Sequence, residues 1–236
     1  MPDKPRQIIA MGGGGFSMEP ENLTLDRYVL AQAGMALPRV SFIPTASGDA
    51  DSYALRFYAA FSGLPCQPSH LMLFRRTPDL REHVLSQDVI YVGGGNTKSM
   101  LGVWREWGLP EILREAWEAG VVLAGLSAGA ICWFEQGLTD SFEGELRPLQ
   151  ALGFLKGSAC PHYDGDPARR PTYQHLVRTG VLLPGLALDD GAAVHFINHD
   201  IQRVVASRRG ATAYQVRRRN GAVEESALPV ELRSEP

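Results

Sequence analysis

Cysteine is scarce in this chain. Cys66, Cys132 and Cys160 are three among 236 residues, an odd, unclustered set without CxxC or His/Cys spacing. Such a set argues against a disulfide framework and against a zinc site, and small buried apolar residues are the simpler reading. Long apolar runs are missing too. Nothing approaches the roughly 20 residues that span a bilayer, and the start MPDKPRQIIA lacks the basic-then-apolar layout of a secretory signal. The chain is therefore expected to be cytoplasmic, with no membrane partner. Nor is there an excess of charge of one sign: 23 Lys and Arg oppose 26 Asp and Glu, for a net charge of −3. Phosphate backbones are bound by clustered positive charge, so no nucleic-acid partner is expected. The runs Arg208-Arg209 and Arg217–Arg219 read as solvated strand ends. Internal repeats, low-complexity tracts and Pro/Ser-rich linkers are also missing. With 44% apolar content the chain can bury a sizeable core, and one domain over residues 1–236 is expected.

What is present is an alternation. RQIIAMGGGG, PRVSFIPTAS, DVIYVGGGN, GVVLAGLSAG and LPGLALDDGA each read as a buried strand breaking into a turn of Gly or other small residues. Between them, TLDRYVLAQAG, ADSYALRFYAAFSG, KSMLGVWREWG and PEILREAWEAG carry apolar residues at three- and four-residue intervals. That pattern predicts an α/β fold with a mostly parallel central sheet flanked by helices. The end differs. AAVHFIN, QRVVASR and ATAYQVRRRNGAVEE alternate with period two, and Asn220-Gly221 signals a hairpin. A C-terminal antiparallel extension is expected.

In an open parallel sheet the ligand crevice lies beyond the carboxyl ends of the strands. The residues there are Gly12–Gly15, Gly93-Gly94-Gly95-Asn96 and Gly125-Leu126-Ser127-Ala128-Gly129. GGGGFS lacks the last glycine of GxGxxG and is followed by MEPENLT, so it argues against a dinucleotide loop. GLSAG satisfies G-x-S-x-G, the nucleophile elbow, in which a sharp strand-to-helix turn lifts a serine hydroxyl out of the sheet. The Ala128 amide would then lie at a helix N-terminus, where it can face a developing oxyanion. A serine at a strand end can equally cap the following helix.

A serine hydroxyl needs a base, nearly always His, and the His needs an orienting acceptor. Of six histidines, His70 and His83 precede the elbow in ordinary contexts, His175 sits in a helical pattern, and His195 and His199 fall in or beside a period-two strand. His162 stands out, because it follows Cys160-Pro161 at the end of a short apolar segment and opens the polar loop HYDGDPARR. The candidate acids are Asp164, Asp166, Asp189 and Asp190, the last two ending the run GLAL.

In this order, VGGGN, GLSAGA, Pro161-His162 and a strand-end acid before Gly191 resemble the peptidase E and cyanophycinase-like serine peptidases. Those proteins share the α/β fold of class I glutamine amidotransferases, with Ser in place of the amidotransferase Cys. The resemblance runs from the first strand to about residue 200. It implies Ser127 as nucleophile, His162 as base and an acid of the Asp189-Asp190 pair, Asp190 by register, to orient the imidazole, with the Gly94 and Ala128 amides as oxyanion hole. Asn96 would support that loop on the substrate side. It implies no metal or organic cofactor, a small peptide as substrate and, as is common in the family, a homodimer. Two features depart from the family. ALDDG offers Asp where Glu is usual, and the loop after His162 is shorter than in the aspartyl dipeptidase branch.

The expected activity is that of a serine peptidase removing the amino-terminal residue of dipeptides or short peptides. A cyanophycinase-like or isoaspartyl-peptide hydrolase is the alternative within the fold, and a catalytically silent amidotransferase-like binding module is the alternative outside catalysis. Arg169 and Arg170 lie on the loop that begins at His162, and a guanidinium fork suits a carboxylate. In the aspartyl dipeptidase branch a comparable Arg reads the acidic side chain, so the resemblance makes amino-terminal Asp the leading expectation. The competing expectation leaves both arginines as solvated loop charges or pairs them with Asp164 and Asp166.

Overall fold

The computed structural model describes residues 4–232; residues 1–3 and 233–236, the two ends of the expected single-domain span, lie outside the described residues. The chain opens with β1 (Gln7–Met11), the one-turn α1 (Gly15–Met18), α2 (Thr24–Ala31), β2 (Arg39–Ile43), α3 (Asp51–Phe61), β3 (Gln67–His70), α4 (Leu80–Leu85) and β4 (Val89–Val92). It continues through α5 (Thr97–Glu106), α6 (Leu109–Glu118), β5 (Val122–Leu126), α7 (Ala128–Ile131), β6 (Phe134–Thr139), β7 (Arg147–Gln150), β8 (Leu155–Cys160) and α8 (Arg169–Thr179). The remaining strands are β9 (Gly185–Leu188), β10 (Ala192–Ile197), β11 (Asp200–Ala206), β12 (Ala213–Arg219), β13 (Ala222–Ala227) and β14 (Val230–Leu232).

Eight strands form the main sheet in the order β14-β11-β10-β1-β5-β4-β2-β3. From β1 to β3 it is parallel, and β10 joins β1 antiparallel. Helical crossovers bury both faces of such a sheet, which is why β1, β4 and β5 are buried at every position. On one face α4, α5 and α6 pack with Trp104, Trp117 and Trp133; on the other, α2 and α3 pack with Phe16, Phe42, Phe57 and Phe61. Each fully buried large apolar side chain contributes about 1.5–3 kcal/mol. The four segments with helical spacing form α2, α3, α5 and α6.

A second sheet of six strands, in the order β13-β12-β9-β8-β6-β7, stands beside the first. β6, β8 and β9 are parallel, and β7, β12 and β13 add antiparallel edges. The antiparallel C-terminal strands are thus divided between the sheets, with β10 and β11 in the first and β12 and β13 in the second. The Asn220-Gly221 hairpin forms with both residues at positive φ, 51° and 80°. A single bridge between Gly13 and Asp190 links the two groups of strands. The carboxyl ends of β1, β4 and β5 in one sheet and of β8 and β9 in the other therefore converge. Among the described residues, no helix is long and apolar enough to cross a membrane.

Candidate active site

Ser127 sits between the carboxyl end of β5 and the start of α7, with φ 55° and ψ −114°. That backbone costs an L-residue on the order of 1–3 kcal/mol and persists because neighbours hold it. The Ser127 N–H donates to Met11 O at 3.1 Å, and its carbonyl accepts from the Ala130 and Ile131 amides at 2.9 and 3.0 Å. The flanking glycines are forced by contact: a Cβ on Gly125 would fall 2.3 Å from Gly129 O, and one on Gly129 would fall 2.4 Å from Val92 O. The hydroxyl makes no capping bond to α7. The turn therefore presents the hydroxyl to the cleft instead of using it as a helix cap.

His162 follows β8 with φ 54°, and its Nδ1 lies 2.6 Å from Asp190 Oδ1. A carboxylate there places the imidazole proton on Nδ1 and leaves Nε2 free as an acceptor. Asp190 and Asp189 occupy adjacent positions at the end of β9 but different surroundings. Asp189 is 3% exposed, accepts the Thr212 amide at 3.1 Å, and has its carboxyl pushed up to about 6 by burial. The structure brings Asp190, and not Asp189, to His162.

The first glycine run finds its explanation here. A Cβ on Gly13 would fall 2.1 Å from Asp190 Oδ1 and 2.9 Å from His162 Cε1. The loop lets backbone approach the His–Asp pair, a role that no local motif announces.

Ser127 and His162 line one cleft of about 300 Å³. Its other walls include Ser17, Met18, Tyr53, Arg56, Gly94 and Gly95. Of these, Ser17, Tyr53 and Arg56 carry no signal in the sequence, because they lie on α1 and α3, far along the chain from the elbow. The Arg56 guanidinium stacks 4.8 Å over the Tyr53 ring and remains solvent-exposed. The Tyr53 hydroxyl bonds Ser17 Oγ at 2.8 Å and accepts the Gly94 N–H at 3.1 Å.

Three expectations about the cleft are corrected, and Gly94 gains a partner. The Gly94 amide, expected in the oxyanion hole, lines the cleft and donates to Tyr53 Oη at 3.1 Å, so a developing oxyanion would compete with that hydroxyl. Asn96, expected on the substrate side, is occupied structurally: its Oδ1 accepts the Ser99 amide at 2.8 Å as the N-cap of α5, and its Nδ2 donates to Ser141 O at 3.2 Å. Arg169 is 4% exposed and pairs with Asp140 at 2.7 Å and Asp166 at 3.8 Å. Arg170 pairs with Glu225 and stacks over Tyr163 and Tyr214 at 5.4 and 5.1 Å. Neither arginine lines the cleft, because both belong to the first turn of α8, whose packing against β12 and β13 turns them away from it. A larger cavity of about 570 Å³ lies between the segment around Phe142 and α8 and shares no wall with the Ser127 cleft.

The other residues singled out have structural places. His195 is buried between Tyr28 Oη at 2.8 Å and Gln7 Oε1 at 3.0 Å, and burial pushes its imidazole down to about 4. His175 is exposed on α8, and His199 lies against Trp117. All three cysteines are free, and Cys132 and Cys160 are buried. Among the described residues, no group of three His, Cys, Asp or Glu is arranged to hold a metal ion.

A strained serine and a His162 held by Asp190 thus meet in one cleft at the carboxyl ends of parallel strands. Residues 8–204 match peptidase family S51, and the chain belongs to that family. It is 58% identical over 226 residues to the uncharacterized peptidase YgaJ of Bacillus subtilis (strain 168), covering 95% of this chain and 98% of that protein. It is 29% identical over 134 residues, 55% of this chain and 53% of the relative, to peptidase E of Streptomyces coelicolor (strain ATCC BAA-471 / A3(2) / M145). The crystal structure of a peptidase from an acI-B1 Actinobacterium has the same fold, with a TM-score of 0.74 at 17% identity over 97% of this chain and 96% of that one.

Proposed function

We propose that this peptidase is a cytoplasmic serine enzyme that removes the amino-terminal residue of dipeptides or short peptides. The observation that carries the reading is the 2.6 Å contact of His162 Nδ1 with Asp190 beside a serine that shares the cleft with that imidazole. In the first half-reaction Ser127 Oγ attacks the scissile carbonyl carbon while His162 Nε2 takes its proton. Collapse of the tetrahedral adduct breaks the C–N bond, and the imidazolium gives the proton to the leaving amine. Water, deprotonated by His162, then attacks the acyl-enzyme; the new acid leaves and the proton returns to Ser127. Asp190, in contact with Nδ1, holds the ring and stabilises the imidazolium. The Ala128 amide, at the first position of α7 where no intrahelical acceptor exists, supports the oxyanion. The Gly94 amide joins it when Tyr53 yields.

Arg56 is the arginine among the residues that wall this cleft. Its exposure and its stacking on Tyr53 favour a substrate carboxylate, either the side chain of an amino-terminal Asp or the free α-carboxylate of a dipeptide. Purified protein assayed against X-Ala dipeptides and X-anilides, with the Ser127→Ala variant alongside, tests the reading. Release of the amino-terminal residue by the wild type and its loss in the variant is the expected result. Equal turnover by both would overturn it.

A further inference from the structure

The acid that orients His162 is itself held from outside. The Asp190 N–H donates to Asp164 Oδ1 at 2.8 Å, and Arg208 Nη2 donates to Asp164 Oδ2 at 2.6 Å. Arg208 Nε also lies 3.8 Å from Glu19 Oε1, and Ser207 Oγ donates to Glu19 Oε2 at 2.9 Å. The backbone completes the frame: the Ser207 amide donates to Gly191 O at 2.9 Å and the Gly191 amide to Gly13 O at 3.0 Å. Three segments distant in sequence, the first glycine loop, the loop after His162 and the turn after β11, are thus tied at one point beside the His–Asp pair.

We infer that Asp164 and Arg208 form a positioning pair for this site, Asp164 fixing the Asp190 backbone and Arg208 supplying the counter-charge for the acids around His162. The inference deepens the serine-peptidase reading and rests on it for its catalytic consequence. The charge census supports a counter-charge. Asp164 and Asp166 share the loop of His162, Asp189 and Asp190 stand at the end of β9, and Glu19 approaches from beyond α1. Arg208 is joined to this group through Asp164 and Glu19, Arg169 is joined to it through Asp166, and Arg56 lines the same cleft as the imidazole. The guanidinium feels Asp164 first, then Glu19 and Asp190, and these hold its pKa up. The Arg208 and Asp164 side chains are 42% and 37% exposed. Pairs that exposed add little to global stability, whereas a catalytic group displaced by an ångström loses much of its rate.

The two partners carry opposite charges, so their removal has opposite effects on the imidazole. Arg208→Gln removes a positive charge and leaves Asp164 and Glu19 unneutralised, which favours the imidazolium and raises the His162 pKa. Asp164→Asn removes a negative charge, keeps an acceptor for the Asp190 amide, and lowers it. Each shift is expected to be roughly half a pH unit or more, and the double variant should return close to wild type. The experiment is an NMR titration of the His162 Cε1–H resonance, assigned by its absence in His162→Gln. It is done on wild type, both single variants, the double variant and Arg208→Lys, which retains the charge and should titrate like wild type. In parallel, kcat on an X-anilide should fall about 10-fold in Arg208→Gln with KM little changed, and Arg208→Lys should recover most of it. Shifts of the same sign in the two single variants, or shifts of less than about a tenth of a pH unit in both, overturn the inference. If Arg208→Gln fails to fold, the downward shift in Asp164→Asn decides alone. The titration reads the pair even if no peptide tested is hydrolysed, so failure of the peptidase reading is separately visible.

Discussion

The turn at Ser127 and the first turn of α8 at Arg169-Arg170 both lie close in the chain to presumed active-site loops, yet the molecule uses them in opposite ways. At Ser127 the side chain is delivered to the cleft by backbone alone: a positive φ, two glycines in backbone contact and three main-chain hydrogen bonds. At Arg169 and Arg170 the side chains are drawn away by partners on other elements, Asp140, Asp166 and Glu225. Position fixed by local backbone follows from a short motif. Position fixed by long side chains depends on which distant charge reaches them first, and a neighbouring His in the sequence does not decide it.

The largest effect is expected at the serine. Ser127→Ala fits the elbow and removes only the reacting oxygen, so hydrolysis should vanish while the melting temperature stays close to wild type. Next come the paired acids. Asp190→Asn keeps the shape but favours the wrong imidazole tautomer, and turnover should fall by ~10²–10⁴. Asp189→Asn, whose carboxyl faces Thr212, should change kcat far less. Steady-state kinetics on one substrate ranks the two, and the reverse ranking would detach Asp190 from the chemistry.

The arginines test the other half of the comparison. Arg56→Met should lower kcat/KM by ~10–100-fold on substrates whose carboxylate it reads, with little change on substrates lacking one. Asp-anilide against Ala-anilide isolates the side-chain carboxylate, and Ala-Ala against its amide isolates the terminal one. Arg170→Met should leave all four ratios unchanged. A selective loss in Arg170→Met would show that α8 moves its side chains into the cleft after all.

A smaller effect is expected in stability. Asp26 is fully buried, accepts the Phe16 amide and the Tyr91 hydroxyl at 2.8 and 2.9 Å, and burial pushes its carboxyl up to about 7 from an ordinary 3.8. The folded state then holds a proton that the unfolded state has lost between about pH 4 and 7. Stability should therefore fall as pH rises through that window and level off above it. Asp26→Asn can still accept from Phe16 and can donate to Tyr91, so it should flatten the decline. Urea denaturation at pH 5 and pH 8 measures it; an equal decline in the variant would place the proton elsewhere.

Much of the first sheet was legible, because β1, β2, β4 and β5 are mostly apolar runs ending in turns of glycine or other small residues and the helices between them keep an apolar stripe. The second sheet was legible only in β9 and the β12–β13 hairpin. FEQGLT, RPLQ and LKGSAC are short and partly polar, and they become strands through pairing with β9 and with one another. Ser127, His162 and Asp190 could be singled out because each follows a strand end, and the order of the glycine turns carried the family resemblance. Gly13, Tyr53, Asp164 and Arg208 escaped in their present roles because each acts through a contact with a residue far along the chain, and Arg56 because the fold brings α3 to the cleft. The second Asp of ALDDG illustrates the boundary between the two cases: one residue of register separates a carboxyl on His162 from one buried against Thr212.

The central claim is that Ser127, activated by His162, is the attacking atom. Mass spectrometry of the protein treated with a serine-directed organophosphonate tests it most directly. Wild type should carry a single adduct on the peptide containing Ser127, His162→Gln should label far more slowly, and Ser127→Ala should carry none. Labelling of Ser127→Ala at the wild-type rate, or an adduct on another residue, would contradict the account.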